Sequence, residues 1–196
     1  MSILLSARPT IVDRIFSRSL TTDILLVTSG AAITAAAAQV TIPMFPVPMT
    51  GQTFAVLLVA ATLGLSRAAL SMLLYVLVGS LGAPIFAGAA SGFFGATTGY
   101  LIGFIAAAVV VGYLAEKGWD RTPLKVAASF ALGSLVIYAF GVSWLSIYLG
   151  SVGAANDLVT SLTLGMFPFL VGDALKAALA AALLPSAWAG IKKLKG

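Results

Sequence analysis

The chain has 196 residues, of which 60% are hydrophobic and only 9% charged, with a net charge of +5. Soluble domains carry about 25% charged residues, so this chain lacks the polar surface to keep a folded body in water, and its basic residues sit at predicted helix ends rather than on a stripe suited to nucleic acid. It contains no cysteine and no histidine, which excludes disulfides, thiolate metal sites, and Ser-His or Cys-His nucleophile pairs.

Residues 1–22 form a mixed polar tail with Arg8, Arg14 and Arg18. No apolar signal-peptide core precedes Arg18. Two readings are open for this tail. Ile11, Ile15 and Phe16 make the apolar face of a short interfacial helix, or the segment is solvated and carries only orientation charges.

Apolar runs of about 18 residues with few charges read as membrane spans. The first is expected from Ile24 to Val40. Pro43, Pro46 and Pro48 forbid regular helix after it. A second apolar stretch, Thr53 to Leu65, is short for a span, and a third runs from Ala68 to Leu81. Gly82-Ala83-Pro84 opens an uncharged loop of small residues that lasts to Gly99. A fourth helix is expected from Tyr100 to Ala115, then the charged segment Glu116–Lys125, then a fifth helix from Val126 to Leu149. After the loop Gly150–Asp157, a sixth runs from Leu162 to Leu184 with Pro168 near its start. No internal repeat is evident. The expected architecture is an all-α membrane protein of six transmembrane helices. Its domain, 23–190, lies between a cytoplasmic N-terminal tail (1–22) and a basic cytoplasmic tail (191–196).

Lys and Arg mark cytoplasmic loops. With six spans, ten of the eleven basic residues fall on one side: both termini, Arg67, and the loop with Lys117, Arg121 and Lys125. The opposite loops, 41–52, 82–99 and 150–161, contain no Lys or Arg. Both termini are therefore expected in the cytoplasm. The outer loops are uncharged, Gly- and Pro-rich and fairly apolar, a composition suited to segments folded over an opening.

The eleventh basic residue, Lys176, lies inside the last span with Asp173. Spacing of i and i+3 puts both on one helix face. Facing lipid, each would cost several kcal/mol, so they face the protein interior or a water-filled cavity. An ion pair that only orients the helix is the plainer reading. As a ligand site, Lys offers a point charge for a carboxylate and Asp accepts from N–H donors, which admits biotin and other small amphipathic acids. Tyr100 opens the fourth span, where an interfacial belt residue is the commoner role and a ring capping a ligand is the other. Gln52 enters the second span after Pro48-Met49-Thr50-Gly51 and bonds either ligand or backbone freed by the prolines. In the first span, Ala31/Ala35 and Ala32/Ala36 form small-xxx-small rows for close helix approach, within the protein or to a partner. Four successive alanines leave that register open.

No G-x-x-x-x-G-K-[ST] loop is present, so the chain has no ATPase of its own to power transport. A lone interior carboxylate does not make a proton relay, and without His or Cys an enzyme is not expected. A self-sufficient oligomeric carrier remains an alternative.

Four segments together resemble the BioY family, the biotin-binding S-components of energy-coupling factor (ECF) transporters. They are Pro46-Val47-Pro48-Met49-Thr50-Gly51-Gln52-Thr53, Leu81-Gly82-Ala83-Pro84-Ile85-Phe86-Ala87-Gly88, Gly95-Ala96-Thr97-Thr98-Gly99-Tyr100-Leu101-Ile102-Gly103-Phe104, and Pro168-Phe169-Leu170-Val171-Gly172-Asp173-Ala174-Leu175-Lys176. The resemblance implies a six-helix, S-component-like bundle in the cell membrane that binds biotin near its outer side. Biotin is then the transported ligand and no cofactor is involved. A separate transmembrane coupling subunit and two ATPase subunits would drive uptake. An S-component for another small vitamin is the alternative nearest to this. The resemblance further implies ligand contact by Asp173, Lys176 and Tyr100, and partner docking within Ala31, Ala32, Ala35 and Ala36. The family carries an asparagine in the loop after the third helix, at the urea ring. Here Phe86–Thr98 has none, and Ser91, Thr97 and Thr98 are the hydroxyls available in its place. The loop also reads Gly95-Ala96-Thr97-Thr98-Gly99 where a proline and more glycine are expected.

Overall fold

The computed structural model describes residues 9–195; Arg8, counted above among the N-terminal charges, lies outside them. Helix dominates because long apolar runs leave the backbone no other way to satisfy its N–H and C=O groups in a membrane. The helices are α1 (Ile11–Ile15), α2 (Leu20–Ala38), α3 (Gln52–Leu63), α4 (Leu65–Ser80), α5 (Thr98–Glu116), α6 (Pro123–Ser151), α7 (Leu158–Gly165) and α8 (Leu170–Lys195). Local chemistry sets several boundaries. The Ser19 hydroxyl accepts from Thr22 N–H at the start of α2, and the Asp157 carboxylate accepts from Thr160 N–H at the start of α7. Pro123 opens α6, where its missing N–H would be unused anyway. Four segments are long and apolar enough to cross a membrane: α2, α5, α6 and the run 158–194.

Helix α5 lies at the centre, packed on α3, α4 and α6; α2 covers α3 and α4, and α8 lies on α6. Tyr75, Met72, Phe130, Ile137 and Leu145 are fully buried between them. The α5–α6 contact is backbone-close. A Cβ on Gly103 would stand 3.0 Å from the Ile137 backbone, and one on Gly99 would stand 2.5 Å from the Phe140 carbonyl oxygen. Gly99 and Gly103 form a small-xxx-small row on α5. The alanine rows of the first span drew attention in the sequence, and this row did not.

Three regions bear on the sequence expectation. The sixth span is broken. Helix α7 ends at Gly165, a 3-10 turn occupies Phe167–Phe169, and α8 begins at Leu170. Pro168 has no N–H to donate and its ring clashes with the carbonyl four residues back, so the helix restarts after it. Second, α3 is short, as expected: it has 12 residues, about 18 Å against a hydrocarbon core of about 30 Å. An irregular segment precedes it, with a minimal antiparallel pair, Thr41–Ile42 (β1) with Met49–Thr50 (β2), and a cis Phe45–Pro46 bond. Third, the N-terminal segment is folded onto the bundle. Thr10, Ile11 and Val12 are buried, whereas Ile15 and Phe16 point outward. The apolar face of that short helix is thus split between the core and the surroundings. Helix α8 also continues past 190 to Lys195.

Apart from Asp157, Asp173 and Lys176, the described ionic residues gather at one end. Arg67, at the start of α4, pairs with Asp13 at 2.8 Å and Asp23 at 2.6 Å, and Arg18 joins Asp13 at 3.0 Å. The Glu116 carboxylate accepts from Leu65 N–H at 3.0 Å. The Asp120 carboxylate accepts from Trp188 Nε1 at 2.6 Å. The opposite end holds the breaks in α7–α8 and before α3.

Candidate functional site

Between those breaks lies a cavity of about 580 Å³ counted out to its mouth, lined by α3, α5, α6, α8 and the two irregular loops. Phe86, Leu101, Phe104, Ile137 and Phe169 give it mostly apolar walls. Its polar groups are concentrated on one side. Non-helical backbone at membrane depth is tolerated where it is enclosed by protein or lines a cavity, and the proline-rich loop and the Met166–Phe169 break both do so here.

Asp173 sits in the first turn of α8, one turn from Lys176. Lys176 Nζ donates to Asp173 Oδ1 at 3.1 Å, to Thr53 Oγ1 at 2.7 Å and to the Thr50 carbonyl at 3.1 Å. An ammonium has three N–H donors, and all three are engaged. Thr53 in turn donates to Asp173 Oδ1 at 3.3 Å. The other carboxylate oxygen accepts from the Tyr138 hydroxyl. The pair is partly open, with side-chain exposures of 22% for Lys176 and 10% for Asp173. This is a charge-balanced cluster from three helices, facing an apolar chamber. It presents a cation and an anion side by side, each held in place by neutral hydroxyls.

The remaining expected residues divide. Tyr100 is buried, with its ring on the cavity wall and its hydroxyl donating to the Gly165 carbonyl at 2.7 Å. It thus takes up a carbonyl at the break and faces inward, not toward a membrane surface. Gln52 borders the cavity but is already committed. Its Nε2 donates to the Tyr75 hydroxyl at 2.5 Å, its Oε1 accepts from Thr50 at 2.9 Å, and Tyr75 donates on to the Ile85 carbonyl at 3.2 Å. Gln52 therefore ties the start of α3 to α4 and the next loop. Ser91 is exposed and does not line the cavity. Of the hydroxyls in that loop, Thr97 reaches the cavity, while Thr98 is spent within the loop on Phe93 and Gly95.

On α2 the two alanine rows differ in burial. Ala31 is buried and Ala35 half-buried, whereas Ala32 and Ala36 are exposed along the outer face.

Three cavity groups were missed in the sequence: Tyr138, Thr53 and the Thr50 carbonyl. Tyr138 carried a usable signal, since a tyrosine in the middle of an apolar span must find its hydroxyl a partner. Thr53 and Thr50 carried none, because threonines in spans commonly bond their own helix, as Thr34 and Thr62 do here.

The model of the BioY family matches residues 8–193. A protein of Thermotoga maritima named biotin transporter BioY is 39% identical over 153 residues, covering 76% of this chain and 86% of that protein. Another of that name from Rhizobium etli is 33% identical over 176 residues, covering 83% and 91%. A crystal structure described as the S-component for biotin from an ECF-type ABC transporter has the same fold, with a TM-score of 0.74 and 19% identity, covering 87% of this chain and 93% of that one. With the match running through α1–α8 and every segment that builds the cavity, the chain belongs to the BioY family.

Proposed function

We propose that this chain is the biotin-binding subunit of an uptake transporter in the cell membrane, driven by a separate ECF module. The observation that carries the reading is the Asp173–Lys176–Thr53–Tyr138 cluster at the side of an apolar cavity. Biotin has a cyclic urea, an apolar ring and chain, and a carboxylate. Its urea presents N–H donors and a carbonyl acceptor side by side, which suit the adjacent Asp173 carboxylate and Lys176 ammonium. Phe86, Phe104, Ile137 and Phe169 suit its apolar ring and chain. Tyr100 and Thr97 complete the wall, and Thr97 is the hydroxyl placed to serve where other members carry asparagine.

The same reading takes the bundle as six membrane crossings with both termini in the cytoplasm, α3 and α4 being the short second and third. The gathering of Arg18, Arg67, Arg121 and Lys192 at the end away from the cavity supports that orientation. The exposed Ala32–Ala36 row on α2 is a smooth stripe for a helix of the coupling subunit. The two ATPase subunits would act through that subunit.

The test is biotin binding to the purified, detergent-solubilised chain, with dethiobiotin, thiamine and riboflavin as controls. Selective submicromolar binding is expected. A folded sample that ignores biotin and retains another vitamin would overturn the ligand assignment. Uptake that persists without ATPase subunits would overturn the need for a module and favour a self-sufficient carrier.

A further inference from the structure

A second groove opens at the charged end, far from the biotin cavity, and is larger, about 1080 Å³ counted out to its mouth. Three cations from three elements line it: Arg14 of α1, Arg121 of the 3-10 turn Trp119–Arg121, and Lys192 of α8. Its floor is apolar, with Trp188 and Ile191. The cations are not merely loose surface charges. Arg121 lies over the Trp188 ring, 4.5 Å from its centroid, and that ring is held by the bond from its Nε1 to buried Asp120. The guanidinium thus has a fixed platform. Among the described residues, Asp120 is the acidic side chain that lies beneath Arg121. It is 2% exposed, its Oδ1 is 3.9 Å from Arg121 Nε, and burial pushes its carboxyl up toward the neutral form. Arg121 and Lys192 thus place two cations over an apolar floor.

We propose that this groove binds the headgroup of an anionic phospholipid, with the phosphate between Arg121 and Lys192 and the glycerol region over Trp188 and Ile191. A free anion would account for the cations alone. A lipid also accounts for the apolar floor and for the large side chains exposed beside the cations: Ile15 and Phe16 next to Arg14, and Leu194 two residues beyond Lys192. The α8 segment that carries Trp188 and Lys192 continues a span, which sets the groove at the membrane–water boundary. Basic pockets between membrane helices at such a boundary suit acidic headgroups.

The experiment uses the full chain, delipidated in mild detergent and reloaded from vesicles of phosphatidylglycerol or phosphatidylcholine, with retained phosphorus counted per protein after gel filtration. About one phosphatidylglycerol per chain should be retained in preference to phosphatidylcholine. The double variant Arg121→Gln, Lys192→Gln should lower that affinity about thirtyfold, two cations at about 1 kcal/mol each. Lys125→Gln, a basic residue outside the groove, should leave it unchanged. Helicity and a monodisperse elution profile report folding independently of biotin, so a failure here is separable from a failure of the biotin reading. Equal retention of both lipids, an unaffected double variant, or full displacement by millimolar inorganic phosphate would each overturn the proposal.

Discussion

At the residue scale the site turns on how few groups hold two opposite charges in place. Asp173 is secured by Lys176, Thr53 and Tyr138, and Lys176 by Asp173, Thr53 and the Thr50 carbonyl. Truncating either charge strands the other, so Asp173→Ala and Lys176→Ala are expected to lower yield. They should lower biotin affinity more. A hydrogen bond to a charged group contributes about 1.5–3 kcal/mol, or roughly ten- to a hundredfold in affinity. Tyr138→Phe separates positioning from charge. It removes one neutral donor from Asp173 and keeps the ring, so a loss of about fivefold, near 1 kcal/mol, is expected with folding intact. Ser91→Ala should change nothing, since that side chain is exposed outside the cavity, whereas Thr97→Val should weaken binding. Titration calorimetry on the five variants against wild type tests the set. Normal binding by folded Asp173→Ala and Lys176→Ala together would remove the assignment.

At the scale of elements, the legible and illegible parts of the sequence separate by physical cause. Long apolar runs and basic loops made the spans visible, and the expected bounds of the first, fourth and fifth lie within a few residues of α2, α5 and α6. The intramembrane pair Asp173 and Lys176 was visible because ionisable groups there are conspicuous. Hydropathy does not register a break within an apolar run, so the Met166–Phe169 interruption was hidden although Pro168 signalled it. The closest helix contacts were not visible for a related reason. Four alanines in a row attract notice, yet the tightest approaches fall on isolated glycines of α5. A Cβ on Gly112 would stand 2.6 Å from the Leu65 N and Cα atoms and 2.8 Å from the Gly64 carbonyl carbon. That is backbone against backbone at the one-residue turn between α3 and α4, where Gly64 holds φ +81. Gly112→Ala must push α5 away from this turn and is expected to destabilise the solubilised protein by about 1–3 kcal/mol, read as a lower melting temperature. Gly190→Ala on α8, with nothing near its Cβ, should show no such loss.

At the scale of the whole molecule, the two ends are built on opposite principles. The cavity end leaves backbone irregular and polar groups open to a ligand. The other end ties its charges to one another and pins α1 against α4. Asp13 is the hinge of that arrangement, accepting from Thr10 N–H, Arg18 and Arg67. Burial alone would raise its carboxyl, but the bonds from Arg18 and Arg67, with Thr10 N–H and the Arg67 charge, hold it below the ordinary 3.8. The sign follows from linkage. A carboxyl whose folded pKa is depressed binds protons more readily when unfolded, so its contribution is fully present above 3.8 and is lost as pH falls through the lower folded value. Asp13→Asn should therefore melt below wild type at pH 7, with the gap unchanged down to about pH 5 and closing progressively under more acid conditions. Melting curves of both proteins across that range measure it directly. A gap that stays constant to the lowest pH at which the fold survives would mean that the Asp13 charge adds nothing to holding α1 on the bundle, and that Ile11 and Val12 hold it alone.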